Sequence, residues 1–163
     1  INAQPREWVF DSVTTGSATI TKQTKVAAVK TQSATMNVGT WETLIFNSVE
    51  KDVLGEWDGG TSQFTPDETG DYSIIVQNHI NPEEDGDRIQ TRLRNVDQGS
   101  DASQQIVQYI SNTATDQGWV VYFEAALNAG DAYELQVRDR DSSATQEGFG
   151  NSRISISRVM ETD

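Results

Sequence analysis

The sequence predicts an all-β protein, a two-sheet antiparallel jelly-roll sandwich, on three observations. Apolar residues recur at every second position through segment after segment. Clusters of Gly, Pro, Asn and Asp separate those segments at short intervals. No window of eleven or more residues carries a helical stripe, so the segments have no helices to pack against.

The alternation is clear in five places. In Asp71 to Asn78, Tyr72, Ile74 and Val76 share a face. In Arg88 to Val96, Ile89, Thr91, Leu93 and Asn95 face one way and Arg88, Gln90, Arg92 and Arg94 the other. Gln104 to Ser111 alternates Ile106 and Ile110 with Val107 and Tyr109. Ala132 to Arg138 sets Tyr133, Leu135 and Val137 against Glu134, Gln136 and Arg138. Ser152 to Arg158 alternates Ile154 and Ile156 with Ser and Arg. Turn-rich pieces fall at 55–60, 66–70, 81–87, 97–101, 112–118, 128–131 and 139–150. Residues 1–23 are less regular and are expected to form an N-terminal arm or linker, leaving 24–163 as the jelly-roll domain.

One strand departs from the pattern. Trp119, Val121, Phe123, Ala125 and Leu127 make a core face, but the opposite face, Val120, Tyr122 and Ala126, is also apolar apart from Glu124. A strand apolar on both faces is covered on both. In a two-sheet sandwich that cover comes from another element or another subunit. Segments 104–110 and the start of 71–78 share this character. Val120, Tyr122, Ala126 and Tyr109 are therefore the candidate oligomer-interface residues.

Composition narrows the chemistry. The chain of 163 residues suits one domain, and with four Trp, four Tyr and five Phe it can fill a core despite an apolar fraction of 35%. There are no cysteines, which excludes disulfides, thiolate metal sites and Cys nucleophiles. The net charge of −13 repels phosphate backbones and argues against nucleic-acid partners. No apolar run has the length of a membrane-spanning helix, so membrane insertion is not expected. An acidic surface with only four lysines is what a protein in molar salt carries, the alternative being an ordinary acidic extracellular protein. A start at Ile1 rather than Met leads to the expectation of a processed or trimmed N-terminus.

Catalytic groups are scarce. His79 is the sole histidine, no nucleophile elbow surrounds any Ser, and a strand-end role is expected for it beside Asn81-Pro82. Non-enzymatic function is the expectation. Among the carboxylates, Asp85, Asp87, Asp139 and Asp141 are the candidate Ca²⁺ ligands, since hard oxygens on loops suit that ion and Gly86 permits a sharp turn. The alternative is a pair of solvated acidic loops. Trp8, Trp57 and Phe149 are candidates for an exposed aromatic patch, with a buried edge role favoured for Trp57. No Asn-x-Ser/Thr acceptor occurs.

Several stretches, in order and at matching spacing, resemble C1q-like and tumour-necrosis-factor-like domains. They are Thr40 to Val49, Gly55-Glu56-Trp57-Asp58, Phe64-Thr65-Pro66 with Gly70 and Tyr72, the alternating Gly86 to Asn95, and Leu127-Asn128-Ala129-Gly130-Asp131. The likeness spans about residues 24–159. Val26-Ala27-Ala28-Val29 lacks the family's early Phe, 153–159 lacks its closing aromatic and Gly, and no Gly-x-y repeat precedes the domain. The resemblance implies a distant member, a ten-stranded jelly roll assembling as a homotrimer through one sheet, with Trp119 to Leu127 near the three-fold axis. It also raises calcium as a ligand near that axis. With the composition, it leads to the expectation of a turret, spike or receptor-binding head on the virion of a halophilic host. The arm around Trp8 and Phe10 would join capsid or tail proteins, and the distal loops would meet a host-surface glycan or protein. A secreted or cell-surface protein- or carbohydrate-binding domain of a microbe is the alternative.

Overall fold

The computed structural model describes residues 23–82, 88–109, 117–141, 144–146 and 152–159. All regular structure in them is β: β1 (Lys25–Val29), β2 (Ala34–Met36), β3 (Glu42–Thr43), β4 (Ser48–Asp52), β5 (Trp57–Asp58), β6 (Gln63–Phe64) and β7 (Gly70–Pro82). Then follow β8 (Arg88–Asn95), β9 (Ser100–Asp101), β10 (Ile106–Tyr109), β11 (Gln117–Leu127), β12 (Tyr133–Asp139), β13 (Ala144–Gln146) and β14 (Arg153–Arg158).

Two antiparallel sheets result. The first runs β2-β13-β7-β14-β1-β4, with β11 on the far side of β7; the second runs β10-β8-β12-β6-β5, with β3 beside β12 and β9 beside β8. The long pairing of β11 with β7 runs from Gln117↔Ile80 to Leu127↔Gly70. β11 is an edge strand of the first sheet and β10 an edge strand of the second.

The alternating positions meet between the sheets. Val26, Ala28, Tyr72, Ile74, Val76, Trp119, Val121, Phe123, Ile154 and Ile156 come from one sheet, and Ile89, Leu93, Tyr133, Leu135 and Val137 from the other. Phe46 and Leu44 close the core although neither lies in a strand, because Thr40 to Val49 breaks into β3 and β4 with a crossing segment between them. Polar groups gather at one end of the sandwich, where Lys30, Asn78, Asp139 and Ser152 are fully buried.

Three expectations need correction. The stretch 139–150 is not turn throughout, since β13 pairs with β2 and β7 there. Within 55–60 and 97–101 the short strands β5 and β9 pair with β6 and β8. His79 is not at a strand end, because β7 continues to Pro82. These pieces are too short or too polar to show a period; their order comes from backbone pairing to longer neighbours. The proposed arm at 1–23 lies outside the described residues except for its last position.

Candidate functional site: an uncovered sheet face and an arginine face

The turns that hold β11 in place explain the sequence motifs around it. After β11, Gly130 adopts φ +81°, a conformation that favours glycine, and its N–H donates to Pro66 O at 2.9 Å. Asp131 Oδ2 accepts from Asn95 Nδ2 at 2.9 Å, Gln98 Nε2 at 2.8 Å and Asn128 Nδ2 at 3.3 Å. These side-chain amides, Asn95 first, favour the ionised carboxylate and hold its pKa below the ordinary value. Asp131 therefore contributes stability above its unfolded pKa of about 3.9, lost as pH falls through the lower folded value. Asp131→Asn is expected to flatten this part of the acid-unfolding curve; an unchanged pH profile below ~4 would refute the assignment.

The Phe64-Thr65-Pro66 and Gly70-x-Tyr72 pieces meet in the same region. The rings of Phe64 and Tyr72 pack edge to face at 5.5 Å, and the Tyr72 hydroxyl donates to Glu68 O at 2.6 Å. Trp57 is buried as expected, its Nε1 donating to Phe46 O at 3.2 Å. Asp52 holds the preceding turn by accepting from the backbone N–H groups of Gly55, Glu56 and Trp57.

The candidate interface residues divide between two surfaces. Val120, Tyr122 and Ala126 stand together on the outer face of β11, with Val120 67% and Tyr122 53% exposed. Ile75, 45% exposed, lies directly beside Tyr122, and the same row continues through Ser155 to Ala27 across β14 and β1. The alternation of Tyr72, Ile74 and Val76 already set Ile75 on the outer face; its place beside Tyr122 comes from the pairing of β7 with β11. Tyr109, 72% exposed, lies on the outer side of the second sheet, next to Arg88. It is on a different sheet face from the other three. The edges do approach one another: Ser103, Gln104 and Ile106 before and in β10 line a cleft with Tyr122, Phe123 and Glu124 of β11.

The outer face of the second sheet is built differently. β8 and β12 send Arg88, Arg92, Arg94 and Arg138 outward, and Arg140 follows, its N–H donating to Arg88 O at 3.1 Å. The guanidiniums of Arg92 and Arg138 lie over the ring of Trp41 at 4.1 and 4.5 Å. Gln136 Oε1 accepts from Arg92 at 2.8 and 2.5 Å, and Gln90 Oε1 accepts from Arg138 Nε at 2.6 Å. Trp41 drew no attention in sequence because its partners lie far along the chain.

Of the candidate calcium ligands, Asp85 and Asp87 lie outside the described residues. Asp139 is fully buried, its Oδ1 accepting from Asp141 N at 3.0 Å. Asp141 forms an ion pair with Arg88 at 2.5 Å, which lowers its pKa through the hydrogen bond first. Among the described residues no group of three or more His, Cys, Asp or Glu is placed to hold a metal ion. His79 has its backbone N–H on Ser152 Oγ at 3.0 Å, and sits across from Gly118, where a Cβ would fall 2.9 Å from its ring. Trp8 and Phe149 are outside the described residues. No described helix is long and apolar enough to cross a membrane.

No protein-family model and no curated protein matches the chain in sequence. Solved structures do match in shape. The Eiger tumour necrosis factor of S. frugiperda superposes with a TM-score of 0.64 at 13% identity, covering 86% of this chain and 95% of that one. The globular domain of zebrafish complement 1qA gives 0.60 at 9% identity, covering 86% and 100%. Murine APRIL gives 0.61 at 8% identity, covering 85% and 100%. Two antiparallel sheets, the connection order and these likenesses establish the fold as the jelly roll of C1q-like and tumour-necrosis-factor-like domains.

Proposed function

We propose that the chain is a non-enzymatic recognition module that works as a surface-displayed homotrimer. The observation that carries this reading is the uncovered row Tyr122, Ile75, Ser155 and Ala27 with Val120 and Ala126 beside it. An apolar sheet face bordered by small residues loses free energy until it is covered, and a second copy supplies a matching surface. The cleft between the edges of β10 and β11 borders this face at Tyr122 and adds Ser103, Gln104 and Ile106, which the face lacks. Contact between unlike surfaces is heterologous, and such contacts form a closed ring of three when the rotation between copies is one third of a turn. Tyr109 enters the assembly from the β10 edge in this arrangement. Sedimentation velocity of the protein is expected to give three times the mass of one chain; a stable monomer would overturn the assembly.

The setting we propose is the exterior of a virion of a halophilic host, as a turret, spike or receptor-binding head. The net charge of −13 supports it, because self-repulsion of that size is screened in molar salt. The melting temperature is expected to fall as salt drops from molar to ~0.1 M. A melting temperature independent of salt would favour the secreted or cell-surface binding domain instead.

A further inference from the structure

We infer that the arginine face of the second sheet is a binding site for an acidic polysaccharide, one bearing carboxylate or sulfate groups. The inference rests on the recognition role proposed above, and it holds for one chain or for three.

The argument starts from where the positive charge lies. The chain holds eight arginines against 25 acidic residues, and five of the eight, Arg88, Arg92, Arg94, Arg138 and Arg140, share this one face. Among the described residues three carboxylates stand with them: Asp141 pairs with Arg88, Asp101 pairs with Arg92 at 2.8 Å, and Glu134 accepts from Thr43, Gln63 and Gln136. Among the described residues, Arg94, Arg138 and Arg140 form no ion pair. Like charges side by side on a sheet repel, and the contacts to Trp41, Gln90 and Gln136 orient these guanidiniums without neutralising them. An external anion relieves that repulsion.

The face is also held in place. Trp41 and the two glutamines fix the planes of Arg92 and Arg138, so little side-chain freedom is lost when an anion docks. A guanidinium presents a planar fork that suits carboxylate and sulfate oxygens. Along β12, Arg138 and Arg140 are ~7 Å apart and the position facing Arg94 is ~13 Å from Arg138. A row of cations several ångströms apart on a flat sheet suits an extended chain with spaced anionic groups. Nucleic acid fits less well, because its denser charge meets the −13 field of the whole molecule.

The test uses affinity chromatography and titration with two probes, dextran sulfate and polygalacturonate, and polyglutamate as the acidic-protein comparison. The protein is expected to bind at least one polysaccharide at ~0.05 M salt, with affinity falling as salt rises. The triple variant Arg94→Gln/Arg138→Gln/Arg140→Gln is expected to bind at least about tenfold more weakly, with a salt slope reduced by roughly two to three. Arg140→Gln alone, at an exposed position, gives a smaller loss without risk to the fold. Arg153→Gln, on the first sheet, is expected to change nothing. Sedimentation of the same variants reports assembly separately, so a lost trimer and a lost glycan site are told apart. Failure to retain either polysaccharide, equal binding by the triple variant, or tighter binding of polyglutamate would overturn the site.

Discussion

Val120→Asp and Tyr122→Asp are each expected to convert the proposed trimer to single chains at micromolar concentration. Each places a carboxylate in the middle of the face that a second copy is proposed to cover, with no cation facing it from β7: the cross-strand neighbours are Gln77 and Ile75. Burying an unpaired charge costs several kcal/mol, and covering Tyr122 otherwise contributes on the order of a few kcal/mol of apolar burial. Together these exceed what a small interface retains after its entropic losses. The fold of the isolated chain should survive, since both side chains point away from the core. Val38→Asp serves as the control: Val38 is 53% exposed, like Tyr122, but lies off this face. Light scattering that found an intact trimer in both β11 variants would remove the assignment, whereas dissociation by Val38→Asp would show that added charge alone is enough.

Tyr72→Ala is expected to destabilise the domain by about 3–5 kcal/mol, with a fall in melting temperature of roughly 10 °C. The side chain is fully buried, its ring lies against Phe64, and its hydroxyl satisfies Glu68 O at the end of the turn. Tyr72→Phe separates the two contributions. It keeps the packing and removes one hydrogen bond, so a loss of only about 1 kcal/mol is expected. Burial comes first among the causes that hold the phenol pKa above its usual value, consistent with a hydroxyl that stays protonated and donates. Equal losses in both variants would mean that the hydroxyl, and not the ring, secures this corner.

Much of the fold was legible because alternation reports burial directly. Tyr72, Ile74 and Val76, then Ile89 and Leu93, then Tyr133, Leu135 and Val137, then Ile154 and Ile156 all lie in the core where the pattern put them. β11 was legible twice over, through its buried face and through the apolar residues on the other. The turn at Gly130-Asp131 was legible as a motif, and the structure supplies its reason in a left-handed glycine and a carboxylate shared by amide groups. The short strands were not legible. β5, β6, β9 and β13 are two or three residues long, too few to show a period; β6, β9 and β13 are ordered by the backbone edges of longer strands, and β5 by pairing with β6.

The sequence alone determined that this chain folds as a jelly-roll sandwich with a doubly apolar strand, Trp119 to Leu127, and that it holds no cysteine and a single histidine. Local patterns suffice for that, because side-chain direction alternates along a strand whatever its neighbours are. Only the tertiary structure decided which exposed residues stand together. Strand order set Ile75 beside Tyr122 and carried their row to Ala27, put Tyr109 on the other sheet, and laid Trp41 over Arg92 and Arg138. Surfaces are made by strands adjacent in space and distant in sequence, and no local pattern records that adjacency.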